Sequence, residues 1–147
     1  MSQGRVTGIA IAPKKRAAME LRDAVSITVA HGPEGDARGS KPGRQVTIVF
    51  EDAWAAACRD AGADLPWTTR RANLLVAGLE TPATIGAQIR IGDVVLQVCE
   101  ETAPCMIMER AHAGLRRALK PDWRGGVCCK VISGGEIEIG AAVTLAT

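Results

Sequence analysis

Apolar and polar residues alternate over 6–11 and again over 24–30, the two-residue period of a strand with one buried face. The pattern returns at 44–50, and a short apolar run at 73–77 reads as a buried strand. Between them, over 51–61, the period changes. Ala53, Trp54, Ala57, Cys58 and Ala61 share one helical face, with Glu51 and Asp52 in the first turn and Gly62 as the stop. Strands at 87–91 and 94–98 flank Gly92-Asp93, a two-residue hairpin turn. A helix is predicted over 106–119, after Pro104 and Cys105, and the last strands at 127–132 and 136–145 are separated by Gly134-Gly135, read as another hairpin turn. Two stretches break the rhythm. Residues 14–20 are polar without a period, and 31–43 hold four glycines and two prolines among charged residues. The second is a loop of a length that is often functional.

About eight short strands with two helices in the connections make a mainly β chain, closed or nearly closed into a barrel. At 147 residues the length predicts one domain over 1–147. Aromatics are only 3% of a chain that is 47% hydrophobic, so the core must be filled by Val, Ile, Leu and Ala, which suits close-packed strands. A formal charge of +2 is too balanced for a protein that mainly grips nucleic acid. No run approaches the roughly 18 apolar residues of a membrane helix, and the N-terminus lacks a signal peptide's apolar segment. A cytoplasmic protein is expected. The five cysteines, odd in number and with Cys128 and Cys129 adjacent, make neither a disulfide framework nor a zinc half-site. The adjacent pair, on a strand, is expected to face opposite ways, one into the core and one to the surface.

Candidate chemistry starts at Cys105. It stands after Pro104 where a strand gives way to a helix, and unpaired backbone N–H groups at such an end favour a thiolate, which attacks electrophiles and binds soft metals. The plainer reading is a small buried apolar residue. The loop residues Asp36 and Arg38, followed by Arg44, could offer backbone donors and guanidinium forks to an anion, or form a solvated turn. Of Arg70-Arg71 before the strand at 73–77, one that enters the barrel end could clamp a phosphate. Neither His31 nor His112 has a spaced partner for metal or triad work. P-loop, dinucleotide, nucleophile-elbow and zinc-protease motifs are absent.

In order and spacing, several of these pieces together resemble the MOSC domain, the module also found at the C-terminus of molybdenum cofactor sulfurases. They are Gly35-Asp36, Arg44-Gln45-Val46-Thr47, Arg71 with Asn73-Leu74 before Gly78, Gly86, Gly92-Asp93, Pro104-Cys105, Gly125-Gly126 leading to Lys130-Val131, and Gly134-Gly135 with Ile137 and Gly140. The similarity runs from about Val6 to Leu145 and is greatest to short, free-standing bacterial members. It departs from the family pattern at four places: Arg38 where His is usual, Thr102 where a second Cys often stands, Lys130 for an Arg, and Ala141 for an Asp.

The resemblance implies an antiparallel β-barrel of the pyruvate-kinase-barrel type. It implies a molybdenum cofactor (molybdopterin), with Cys105 as catalytic residue and metal ligand and Asp36, Arg38, Arg44, Arg71, Asn73 and Lys130 around the pterin. The implied activity is reduction of N-hydroxylated compounds with an electron-donor protein. The alternatives are a persulfide sulfur carrier served by a pyridoxal-phosphate-dependent cysteine desulfurase, or a degenerate, non-catalytic binding module. A small-molecule substrate is expected, and neither a membrane nor a nucleic-acid partner.

Overall fold

The computed structural model describes residues 3–146. Its strands are β1 (Gln3–Ile11), β2 (Glu20–Leu21), β3 (Ala24–Thr28), β4 (Gly32–Pro33), β5 (Val46–Phe50), β6 (Leu74–Ala77), β7 (Gln88–Ile91), β8 (Val94–Glu101), β9 (Val127–Ser133), β10 (Gly135–Glu138) and β11 (Ala142–Ala146). The helices are α1 (Glu51–Ala61), α2 (Met106–Ala111) and α3 (Leu115–Ala118).

Strands pair in the order β11-β7-β8-β9-β5-β6-β1, and β11 returns to β1, so seven strands close a barrel without an open edge. The mainly β barrel expected from the sequence is therefore what forms, with one difference. β5 and β6 run parallel, with Ile48 opposite Leu74 and Phe50 opposite Val76, while the other pairs are antiparallel. A parallel pair needs a crossover, and α1 supplies it. Its bounds are those the sequence predicts. Gly62, in the left-handed region at φ 67°, ends it by donating to the Arg59 carbonyl, and Ala63 donates to that of Cys58.

Two predicted continuities are broken. The expected helix at 106–119 divides because His112 is extended (φ −162°) and Gly114 is left-handed (φ 89°). The expected last strand divides at Gly140 (φ 93°), and the predicted hairpin at Gly134-Gly135 is not one. After Gly134 the chain leaves the barrel, and β10 pairs with β3 in a separate three-stranded sheet with β4.

Aliphatic side chains fill the barrel, among them Val6, Ile48, Leu74, Ile89, Leu96 and Val131. A second core lies outside it, where Trp54, Ala57 and Cys58 of α1 meet Leu75, Met108, Leu115 and Leu119. That outer core fixes α2 and α3 against the barrel wall. No helix among the described residues is long and apolar enough to cross a membrane.

Candidate functional site

A cavity of about 740 Å³ opens beside this outer core. One wall is the loop from Ala37 to Arg44, the floor is Arg70 to Asn73, and the facing wall runs from Glu100 to Met108. Cys105, Arg38, Arg44, Arg71 and Asn73 all line it, so five of the seven residues expected from the sequence meet in one place.

The Cys105 wall follows from local sequence. β8 ends at Glu101, Pro104 cannot continue the ladder, and Cys105 caps α2 in an extended conformation (φ −128°), its carbonyl accepting the Met108 N–H at 3.0 Å. Met108 is buried in the outer core, and His112 Nε2 lies 3.1 Å from the Ala61 carbonyl at the end of α1. These two anchors hold a six-residue helix that could not persist alone. Cys105 itself is exposed, and all five cysteines are free thiols.

The loop wall is bonded to itself. Asp36 Oδ2 accepts from the Ala12 N–H (2.9 Å), Asn73 Nδ2 (2.9 Å) and Arg38 Nη2 (3.0 Å). Its Oδ1 accepts from the Arg38 N–H (2.8 Å) and Nε (3.1 Å). Burial pushes the Asp36 carboxyl up, but the bonds from the Arg38 side chain and from the Ala12 and Arg38 backbones outweigh it and hold the group below the ordinary carboxylate value. Asn73 is buried, donating also to the Ala10 carbonyl and accepting from the Thr47 N–H at 3.0 Å, and so ties β1, β5 and the loop together. Arg38 therefore does not present its fork to an outside anion, which is one of the two readings the sequence leaves open. The fork is closed on Asp36, and Nη1 donates to the Arg71 carbonyl at 2.9 Å. That last bond has a consequence. Arg71 is a non-glycine residue at φ 65°, a strained conformation costing roughly 1–2 kcal/mol, and the Arg38 clamp helps to hold it there.

The floor and rim hold the open cations. The Arg71 side chain lines the cavity and has no hydrogen-bond partner among the described residues. Burial pushes its pKa down, Arg38 adds to this, and Asp36 opposes it. Arg44 makes only a loose surface pair with Glu100, at 3.4 Å, of the kind worth little. Lys15 and Lys41 stand at the rim.

Arg70, which the sequence did not separate from its neighbour, is 6% exposed, donating from Nε to the Gly125 carbonyl (2.8 Å) and from Nη2 to that of Thr102 (2.7 Å). Only the fold could choose between the two adjacent arginines. Lys130 is not brought to the cavity. It stands on β9 opposite Gln97 and is exposed. Another difference from expectation is that Cys128 and Cys129 are both buried. Cys129 points into the barrel, where burial pushes its thiol well above the ordinary range, and Cys128 hydrogen-bonds with Thr102 Oγ1 at 3.2 Å.

No group of three or more His, Cys, Asp and Glu among the described residues could hold a metal ion. As an exposed thiol lining the cavity, Cys105 is the kind of soft donor that a metal carried by an organic cofactor would take.

No curated protein matches this chain in sequence. Among solved structures, the YuaD protein from Bacillus subtilis superposes with a TM-score of 0.83 at 18% identity, over 99% of this chain and 98% of its own. YiiM from Escherichia coli gives 0.70 at 18% identity, over 97% of this chain and 70% of its own, and YiiM from Geobacillus stearothermophilus gives 0.74 at 14%, over 98% and 75%. At such identities the likeness speaks for the fold alone. The family follows from sequence, since the model of the MOSC domain matches residues 35–144, a span that holds the loop, the floor and the Cys105 wall. With most of its length matched in this way, the chain belongs to the MOSC domain family.

Proposed function

We propose that this MOSC-domain protein binds a molybdenum cofactor in the cavity, with the Cys105 sulfur ligating the metal. The observation that carries this reading is one exposed soft donor sharing a cavity with four basic side chains that have at most loose partners. Lys15, Lys41, Arg44 and Arg71 would meet the anionic phosphate of the pterin, for which guanidinium and ammonium groups are the natural partners. Asp36, Arg38 and Asn73 act one step back, fixing the loop and the backbone of Arg71. Bound there, the cofactor would supply the two-electron oxygen-transfer chemistry that reduces N-hydroxylated compounds, with electrons from a donor protein. The chain's own part is to hold the metal by a thiol and to fix the pterin by charge. Ala37, Ala72, Ala103 and Ile107 add apolar surface to the same cavity. Protein made in a cofactor-competent host should contain molybdenum, and Cys105→Ser should lower that content about tenfold or more. Equal molybdenum in the two proteins contradicts the reading.

The exposure of Cys105 at the cavity mouth favours one second reading, a sulfur carrier loaded by a pyridoxal-phosphate-dependent desulfurase. Incubation with such an enzyme should then add one sulfur at Cys105 by mass spectrometry. An unmodified thiol contradicts it.

A further inference from the structure

The floor of the cavity contains a charged group that neither wall uses up. Arg70 is 6% exposed, and its buried guanidinium is seated by two backbone carbonyls: Thr102, three residues before Cys105, and Gly125, at the turn into β9. The seat is built for it. A Cβ at Gly125 would lie 2.6 Å from the Thr102 oxygen and 3.2 Å from Arg70 Nη2, so only glycine leaves the space. Two of the three guanidinium nitrogens are thereby occupied. Nη1 has no hydrogen-bond partner among the described residues, yet it is not sealed away. Among the described residues, Thr81 Oγ1 is the one enclosed side-chain oxygen or nitrogen without a partner. Arg70 lines the same cavity as Cys105. Burial lowers the Arg70 pKa, the Cys105 and Cys128 sulfurs oppose this, Arg44 adds to it, and Glu101 opposes it. An arginine remains charged under such a shift.

We propose that Arg70 Nη1 and the adjoining floor form an oxyanion subsite beside Cys105, which takes one charged oxygen group of a ligand whose reacting atom sits at the sulfur. The inference deepens the reading of the cavity as the functional site and rests on it. The subsite is distinct from the rim of Lys15, Lys41 and Arg44, which lies in solvent and would meet a remote phosphate. A preformed, desolvated guanidinium needs no rearrangement to receive charge, and is worth more there than at the rim. The ligand class is a small oxyanion or a carboxylate, since a single free nitrogen matches one oxygen rather than a large polyanion.

The probe is the ratio of alkylation rates at Cys105 by iodoacetate and by iodoacetamide, read by peptide mass spectrometry on the full chain without cofactor. Both reagents attack the same thiolate, so the ratio cancels thiol ionisation and reports only the welcome given to a carboxylate. Arg70→Met should lower the ratio about fivefold or more, and Arg70→Lys, which keeps the charge, should retain most of it. An unchanged ratio in Arg70→Met overturns the proposal. If that variant does not fold, wild-type crystals soaked in selenate decide. An ion within hydrogen-bond reach of Arg70 Nη1 supports the subsite, and its absence there, with or without ions at the rim, overturns it. Since no metal enters these measurements, they can fail while molybdenum binding stands, and the reverse.

Discussion

The two sides of the cavity are built from similar residues in opposite ways. On the loop side, Asp36, Arg38 and Asn73 are bonded to one another and to the backbones of Ala10, Ala12, Thr47 and Arg71. Across from them, Cys105 is exposed, and on the floor Arg71 and one nitrogen of Arg70 are left open. The first side is a frame and the second a reception surface. An arginine in a motif is not a ligand-binding group by virtue of its type, and what decides is whether its donors already have partners.

The difference should appear first as stability. Asp36→Asn removes the charge that Arg38 is folded onto and leaves buried donors unmatched, at a cost of about 3 kcal/mol in urea unfolding. Its pH dependence has a definite sign. The Asp36 carboxyl is held below its ordinary value in the folded protein, so its contribution is complete above the unfolded value of about 4. That contribution is lost as pH falls through the folded value, and Asp36→Asn should lack this part of the acid transition. Arg38→His, the residue usual in the family, gives up the double fork and the clamp on Arg71 and should cost about 1–2 kcal/mol. Cys105→Ser and Arg71→Met should change stability by no more than about 0.5 kcal/mol while impairing cofactor uptake. Equal losses on the two sides would erase the distinction between frame and reception surface.

Much of the architecture was legible because its causes are local. Strand alternation at β1 and β3, the helical period of α1 and the turn at Gly92-Asp93 each carry their own signal, and the closed barrel follows from many short strands. The parallel β5–β6 pair was less visible. An eleven-residue helix between two strands permits either sense, and only the outer core under Trp54 and Cys58 settles it. The split at Gly134 was hidden because a Gly-Gly pair signals a turn but not which strand follows as a partner. At the site, the cysteine after Pro104 and the Arg71–Asn73 spacing were readable as a pattern. The division of labour between Arg70 and Arg71 was not. Arg70 ends a 3₁₀ turn (Trp67–Arg70) and Arg71 follows it in the left-handed region, and which of the two goes under Gly125 depends on a contact 55 residues away.

X-ray absorption at the molybdenum edge, on cofactor-loaded protein carrying Cys105→selenocysteine, goes straight to the bond on which the functional account depends. A molybdenum–selenium contact is the predicted result. Protein loaded with molybdenum but showing no selenium neighbour would mean that the metal is held elsewhere, and the role given to Cys105 would be wrong.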